Sequence, residues 1–291
     1  MKLSLYLGCI IPTEQYAYEA CVREIFPRLG IELVDIEGTS CCALPLRGIN
    51  TPFWLYMAAR NIALAQKVGL DCLVLCNGCN LSLTEANSIL REDAQLRDRI
   101  NSLLKEEGLH YTGDIRIKHV LEVLHDDIGV EKIRKVVVHP IKDIKLAAYY
   151  GCHAIRPSRI GRPDNSKAPN KLEELIQVLG AETEDYPGRL ECCGAGLMAT
   201  SDIGAKVAAV KLKTVQNSGF DGMVTICPWC HNLLDAKQSF VKMALGEESI
   251  SMPVLYYLQL LGLAMGIEEE KLALDLNLSP IDGLLKKIRG G

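Results

Sequence analysis

The chain has 291 residues, 48% of them hydrophobic, and a formal net charge of −4 from 32 Lys and Arg against 36 Asp and Glu. This length predicts two domains of roughly 100–150 residues, and the hydrophobic content suffices for two packed cores, which excludes a disordered chain. The near balance of charge excludes the strongly basic surface typical of proteins that bind nucleic acids or anionic membranes.

In chain order, the first half predicts strands at residues 3–7, 32–36 and 71–75 and helices at residues 14–29, 53–68 and 81–107. The second half predicts strands at residues 145–150, 182–186 and 222–226 and helices at residues 171–179, 203–217 and 232–244. This alternation is typical of a parallel sheet covered by helices. We therefore predict an α/β protein of two tandem homologous domains, residues 1–143 and 144–291. Each is a small Rossmann-like or flavodoxin-like sheet flanked by helices, and the second carries a C-terminal helical tail.

The first residues predict a buried strand and not a secretory leader, because their apolar run is short and Pro12 follows it closely. The most apolar later stretch, residues 254–265, is only 12 residues long. A helix that spans a bilayer needs roughly 20. We therefore expect a cytoplasmic protein with no membrane span. Disulfides are rare in that compartment, so the chain's twelve cysteines indicate metal binding or redox chemistry.

Ten of the cysteines form one pattern that occurs twice: a single cysteine, an adjacent pair, and a CxxC motif. The first copy is Cys9, Cys41, Cys42, Cys76 and Cys79, and the second is Cys152, Cys192, Cys193, Cys227 and Cys230. In the first copy, 31 residues separate the single cysteine from the pair and 33 separate the pair from the CxxC motif. In the second copy these numbers are 39 and 33, so the second copy has an eight-residue insertion before its pair. The flanks repeat as well, since Tyr6-Leu7-Gly8 precedes Cys9 and Tyr149-Tyr150-Gly151 precedes Cys152. A duplicated domain explains the pattern.

The cysteines of each copy fall after predicted strands. Cys9 and Cys76 follow the first and third strands, the adjacent pair lies in the loop after the second strand, and Cys79 opens a helix. These are the carboxyl ends of the strands, where open α/β sheets bind ligands. We therefore expect the five sulfurs of each half to converge on one edge.

Three kinds of site compete for these cysteines. A structural zinc ion takes four ligands, whereas each copy offers five, and adjacent cysteines reach two irons of a cluster more easily than one ion. Iron–sulfur clusters are therefore favoured over zinc. A thioredoxin-like CxxC would leave the other three cysteines of each half unused. Cys21 and Cys72 lie outside the repeat among apolar residues and are interpreted as core residues.

Several basic residues near these motifs are candidates for substrate binding. The insertion, residues 153–167, contains Arg156, Arg159, Arg162 and Lys167 against the single acid Asp164. Arg forks suit carboxylate, phosphate or sulfonate groups, although a solvated loop or a face for a partner subunit explains the same charges. The candidate substrate residues are Arg47, His153, Arg156, Arg159 and His231. His110, His119, His125 and His139 share no spacing with the cysteines and are assigned no role.

The duplicated cysteine pattern resembles the cysteine-rich CCG domain family from Cys9 to Cys230. Two complete copies in so short a chain are similar to the B subunits of the heterodisulfide reductases of methanogenic archaea. The resemblance implies a noncubane [4Fe-4S] cluster on each set of five cysteines. It also implies reduction of the mixed disulfide of coenzyme M and coenzyme B to two thiols. The implied partners are the ferredoxin-like iron–sulfur C subunit of the same complex together with its flavin-containing A subunit.

Other interpretations stay open at this point. CCG domains also occur in subunits of lactate, glycolate and glycerol-3-phosphate dehydrogenases and of some fumarate reductases, and similar subunits act on other sulfur substrates. A pure electron carrier would bind iron and sulfide without a disulfide substrate. A zinc-stapled interaction module would bind zinc alone. The sequence does not decide whether the leucine-rich tail, residues 266–291, docks on this chain or on a partner.

Overall fold

The structure is a computed structural model that describes residues 1–200 and 202–290, and all of their side chains except those of residues 198–200 and 245. The described residues form two parallel sheets. Their strands are β1 (Lys2–Tyr6), β2 (Glu32–Asp35), β3 (Cys72–Val74), β4 (Ile117–His119), β5 (Leu146–Tyr149), β6 (Gly222–Thr225) and β7 (Val254–Tyr256).

Helices precede and follow most of these strands. Those of the first half are α1 (Ile10–Glu14), α2 (Tyr16–Arg28), α3 (Thr51–Val68), α4 (Asn77–Glu92), α5 (Ala94–Leu104), α6 (Val120–Glu122) and α7 (Val130–Val136). Those of the second half are α8 (Lys171–Val178), α9 (Asp202–Asn217), α10 (Pro228–His231), α11 (Gln238–Leu245), α12 (Tyr257–Ala264) and α13 (Asp282–Gly290). No helix in the described parts of the chain is both long and apolar enough to cross a membrane.

The two sheets share one strand order. The first runs β2-β1-β3-β4 and the second β5-β6-β7, and all neighbours are parallel. A single parallel bridge between Lys145 and Glu182 adds a partner to β5 on the side where β2 accompanies β1. The α/β prediction of two similar parallel sheets flanked by helices is confirmed.

Three predicted elements were wrong in extent. The helix predicted at residues 232–244 is a π-helical segment, Asn232–Ala236, followed after Lys237 by α11. The strand predicted at residues 182–186 is reduced to the bridge at Glu182, because acids at positions 182, 184 and 185 favour solvent over an edge pairing. The helix predicted at residues 81–107 begins earlier, at Asn77, and breaks at Asp93. The Asp93 side chain accepts a hydrogen bond from the Leu96 N–H and so starts α5 as an N-cap.

The halves share packed contacts across their junction. The Tyr18 ring stacks on the Tyr256 ring with centroids 4.0 Å apart, and its hydroxyl donates to the Ile226 carbonyl. The Tyr256 hydroxyl donates to Gln15 Oε1 at 2.5 Å. The fully buried Cys21 lies 3.4 Å from the Leu272 carbonyl. The predicted boundary between residues 143 and 144 stays a prediction.

The C-terminal tail packs on the second half. Asp235 accepts hydrogen bonds from the Leu278 and Ser279 N–H groups and from the Ser279 hydroxyl. Leu284 and Leu285 of α13 are buried against the core. The tail therefore contributes to the stability of this chain.

Candidate metal centre between the halves

The cysteines lie at the carboxyl ends of the parallel strands. Cys9 follows β1 as the N-cap of α1, Cys76 follows β3 as the N-cap of α4, and Cys227 follows β6 as the N-cap of α10. Cys152 follows β5 and opens a 3-10 turn. Backbone N–H groups at these helix starts favour negative charge, which suits thiolates.

The ten sulfurs form one continuous run. In the first half the thiols contact one another in the order Cys9, Cys41, Cys42, Cys79 and Cys76. In the second half the order is Cys152, Cys192, Cys193, Cys230 and Cys227, with the first two sulfurs 3.8 Å apart. Cys76 and Cys227 also contact each other, so the two runs meet between the halves.

The glycine before the first cysteine of each set lies against the sulfur of the second CxxC cysteine. Gly8 and Gly151 have φ angles of +70° and +72°, which L side chains rarely adopt. A Cβ on Gly8 would lie 2.9 Å from the Cys79 sulfur, and a Cβ on Gly151 would lie 2.9 Å from the Cys230 sulfur. The Tyr-x-Gly-Cys repeat therefore has a steric basis in both halves.

The residue after each cysteine pair has a left-handed backbone conformation. Ala43 has a φ of 55° and Gly194 a φ of +95°. The turns bring the Ala43 N–H to 3.4 Å from the Cys41 sulfur and the Gly194 N–H to 3.3 Å from the Cys192 sulfur. Each turn stabilises a thiolate at the more accessible cysteine of the pair.

A buried tyrosine holds the backbone in front of each pair. The Tyr6 hydroxyl donates to the Ser40 carbonyl at 2.6 Å, and the Tyr149 hydroxyl donates to the Glu191 carbonyl at 2.8 Å. Ser40 and Glu191 immediately precede Cys41 and Cys192. The two tyrosines repeat visibly in the sequence, but their role as hydrogen-bond donors was not predicted from it.

Close packing divides the thiols into charged and neutral forms. Hydrogen bonds from Cys42 and Cys9 lower the pKa of Cys41 to about 2, and bonds from Cys152 and Cys193 lower the pKa of Cys192 to about 2. The contact with Cys41 raises the pKa of Cys42 to about 11. Ionisation of the whole run requires nearby positive charge, which metal ions supply.

The sulfur arrangement is extended. Within residues 1–200 and 202–290, no three or more His, Cys, Asp or Glu side chains are arranged to hold a single metal ion. Each half instead offers five sulfurs in sequence, among them two adjacent cysteines. Thiolate donors spread in this way fit a cluster of several irons, because thiolates are the usual cluster ligands.

Three of the predicted substrate residues meet beside α4. Glu85 on α4 accepts from Arg47 at 2.5 Å and from Arg159 of the insertion at 2.6 Å. His153 lies near Arg47, Cys192 and Cys227, and burial lowers its pKa. The insertion of the second half therefore covers α4 of the first half next to the sulfurs.

The other two predicted substrate residues lie elsewhere. Arg156 is exposed and donates to the Leu190 carbonyl at 2.8 Å. His231 is only 2% exposed, stacks on Tyr256 and contacts Thr225 Oγ1 at 3.1 Å. Burial lowers the pKa of His231 to about 4, so it is a neutral residue of the core.

Three residues other than the predicted site residues belong to this junction. Asn77 donates from Nδ2 to the Tyr150 carbonyl at 2.6 Å and so links the two halves beside Cys76. The charges of Arg162 and Cys227 both act on His119, and Arg162 donates to the His153 carbonyl at 3.1 Å. The basic insertion was a signal for Arg162, but His119 shares no spacing with a cysteine and gave none.

Comparison with known proteins matches this sequence to a family. The sequence model described as "Cysteine-rich domain" and designated CCG matches residues 3–84 and 146–235. The chain belongs to the CCG cysteine-rich domain family. The two CCG segments contain all ten cysteines of the sulfur run.

Similar CCG proteins have names from two kinds of redox complex. The chain is 37% identical to the B subunit of the ferredoxin/F(420)H(2)-dependent CoB-CoM heterodisulfide reductase of Methanosarcina acetivorans, over 95% of this chain and 93% of the relative. It is 37% identical over the same shares to the B subunit of the ferredoxin:CoB-CoM heterodisulfide reductase of Methanosarcina mazei. It is 33% identical to the "8-methylmenaquinol:fumarate reductase membrane anchor subunit" of Wolinella succinogenes, over 95% of this chain and 96% of the relative.

One solved structure supports the fold. A crystal structure of a hypothetical protein from Helicobacter pylori matches with a TM-score of 0.76 at 15% identity, over 96% of this chain. The present chain spans about half of that chain, 52%. At this identity the likeness shows the fold alone.

Proposed function

We propose that this CCG protein is the disulfide-reducing subunit of a heterodisulfide reductase. Each set of five cysteines would bind one noncubane [4Fe-4S] cluster, and the substrate would be the mixed disulfide of coenzyme M and coenzyme B. The observation that carries the proposal is the unbroken run of ten sulfurs, which joins the two sets at Cys76 and Cys227.

The chemistry balances as a two-electron reduction. The S–S bond of the substrate breaks, two electrons and two protons are added, and two thiols leave. When bound, iron–sulfur clusters supply one-electron transfer, so two adjacent sets match the two electrons required. Ordinary dithiol exchange would instead need a free protein thiolate.

Hydrogen bonds within this chain hold the two sets of cysteines in a fixed relative position. Asn77 fixes the start of α4 to the carbonyl of Tyr150, and Tyr6 and Tyr149 hold the backbone before each cysteine pair. The Arg47–Glu85–Arg159 contact closes one side of the junction. These bonds fix the geometry that electron transfer between the sets needs.

The names of the relatives support a complex of several different chains. We propose that a ferredoxin-like iron–sulfur protein, the C subunit of that complex, delivers the electrons to this chain in the cytoplasm. A flavin-containing protein, the A subunit, would in turn reduce the ferredoxin-like one. Copurification of both proteins with the tagged chain under anaerobic conditions tests this proposal.

The first experiment is anaerobic purification followed by iron, acid-labile sulfide and zinc analysis. Two [4Fe-4S] clusters require about eight irons and eight sulfides per chain. Variants Cys42→Ser and Cys193→Ser should each lose about half of the iron. Cys21→Ala is the matched control, because Cys21 is equally buried but lies outside both sets. Zinc without sulfide would reject the proposal.

EPR spectroscopy of the oxidised protein with and without coenzyme M thiol tests the substrate. A thiol-dependent paramagnetic signal is expected if a substrate thiol binds at the site. Full iron content with no response to thiol would favour a second function, electron transfer without a disulfide substrate. The fumarate reductase subunit that is 33% identical over 95% of the chain motivates that alternative.

A further inference from the structure

Arg162 occupies an unusual position at the junction. Its Nη2 donates to Asn80 Oδ1 at 3.0 Å, and its Nη1 donates to the His153 carbonyl at 3.1 Å. Asn80 follows Cys79 and His153 follows Cys152. The guanidinium therefore spans the two sulfur sets and contacts the residue next to a cysteine of each.

The guanidinium retains unused hydrogen-bonding capacity. Its third bond runs from Nε to its own neighbour, the Gly161 carbonyl, at 3.0 Å. All three acceptors are neutral, whereas a guanidinium has five N–H donors in a planar fork. One N–H on each terminal nitrogen thus has no acceptor among the described residues, and an oxyanion is the acceptor that a guanidinium binds most strongly.

The nearby carboxylates bind other groups. Glu85 accepts from Arg47 and Arg159 through Oε1, and its buried Oε2 has no partner among the described residues. Glu122 accepts from the His119 backbone N–H at 2.8 Å. Both favour the charge on Arg162 from a distance, but neither is a hydrogen-bond partner of its guanidinium. The half-buried cation lacks the counter-ion that such a position normally requires.

A second, independent feature lies within range of the charge of Arg162. His119 is fully buried, and its Nδ1 accepts a hydrogen bond from the Leu121 N–H at 3.2 Å. The ring proton therefore sits on Nε2, which has no partner in the described residues. A buried donor without an acceptor is costly, so it indicates a ligand or water at this point.

We propose that Arg162, assisted by His119, binds an anionic oxygen group at one end of the substrate. The inference rests on the proposed function and adds which residues recognise the end group of the substrate. A carboxylate or a sulfonate supplies the charged oxygen acceptors that the two free N–H groups of Arg162 lack. Arg47 and Arg159 are less suited, because Glu85 already neutralises part of their charge.

The test compares thiols that differ in one end group. Oxidised, cluster-loaded protein is titrated with 3-mercaptopropionate, 2-mercaptoethanesulfonate and the neutral 2-mercaptoethanol, and the half-saturating concentration is read from the thiol-dependent EPR signal. The wild type should bind the anionic thiols about 10-fold more tightly, as one charge-assisted hydrogen bond supplies. Arg162→Met should abolish that preference, and Arg162→Lys should retain part of it.

Arg156→Met is the matched control, since it removes an arginine from the same insertion that binds only a backbone carbonyl. It should keep the wild-type preference. An equal response of Arg162→Met and wild type to all three thiols would overturn the anion site while leaving the proposed function intact. No response of the wild type to any thiol would instead overturn the proposed function. Methanesulfonate as a competitor separates binding of the anionic group alone from binding that needs the thiol.

Discussion

At two positions beside the cysteines the structure requires glycine. Gly8 and Gly151 combine a left-handed backbone with sulfur contacts that leave no room for a methyl group. Gly69 has the same φ, +72°, but a Cβ added there would meet nothing within 4 Å. Comparison of Gly69 with Gly8 and Gly151 therefore separates the effect of backbone strain from the effect of crowding at the sulfurs.

We predict that Gly8→Ala lowers iron binding in the first half and Gly151→Ala in the second. The added methyl must displace Cys79 or Cys230, whose sulfurs belong to the respective sets. Iron analysis and the EPR spectrum of each anaerobically purified variant measure this effect.

Gly69→Ala is the control. Its left-handed alanine should destabilise the fold by about 1–2 kcal/mol without loss of iron. Equal iron loss in all three variants would show that strain, and not sulfur crowding, is responsible.

His125 provides a pH-dependent contact. Its ring nitrogens bind Glu174 at 2.8 Å and Asp126 at 2.7 Å. Burial opposes its charge, but the hydrogen bonds to Glu174 and Asp126 outweigh burial and raise the pKa of His125. This contact joins the turn after α6 to α8.

Because the folded pKa is raised, the contribution of His125 to stability is complete below its unfolded pKa, about 6.5. It is lost as pH rises through the folded value. Solvent screening limits the effect to less than about 1 kcal/mol. Urea unfolding at pH 6 and pH 8 should show a smaller pH dependence for His125→Gln than for the wild type. The exposed His110→Gln should match the wild type.

At the scale of elements, the same hydroxyl contact occurs at equivalent places in both halves. We predict that Tyr6→Phe and Tyr149→Phe each weaken iron binding in their own half, because the carbonyl before the cysteine pair loses its donor. The lost bond should also destabilise the fold by about 1 kcal/mol. Iron content and thermal unfolding measure the two effects separately.

Tyr257→Phe is the matched control, since the Tyr257 hydroxyl is buried and donates to the Leu175 carbonyl, away from the sulfurs. It should lose similar stability and no iron. Full iron content in Tyr6→Phe and Tyr149→Phe would show that the hydroxyls serve folding alone.

The elements that sequence predicted well are those with strong local signals. The repeated run before Cys9 and Cys152 predicted β1 and β5, and parallel topology brought their cysteines to one edge. β4 and β7 were missed because each is a three-residue strand at the edge of its sheet, whereas the equally short β3 lies inside its sheet and has a clear apolar signal. The contacts of Arg162 and His119 follow from packing across the halves, which no local pattern encodes.

At the scale of the whole molecule, the two halves are bound by buried polar contacts. Gln15 and Tyr18 of the first half contact Tyr256 and Ile226 of the second. We predict that residues 1–143 and 144–291, expressed separately, lack native tertiary structure. Each fragment would expose the tyrosines and leave their partners unsatisfied.

Near-UV circular dichroism and two-dimensional NMR of the fragments measure this outcome. Mixing the two fragments is the control, since association should restore the signal. Well-dispersed spectra of either fragment alone would establish it as an independent folding unit and support the predicted boundary.

The insertion, residues 153–167, makes the two halves of the molecule unequal. Two identical halves related by a twofold axis would present the same chemistry to both ends of a ligand. Because the insertion occurs only in the second half, its arginines contact α4 of the first half, and the described residues of the first half include no equivalent loop. If the proposed function holds, this difference would give the junction a polarity, and a disulfide with unlike ends would bind in a single orientation.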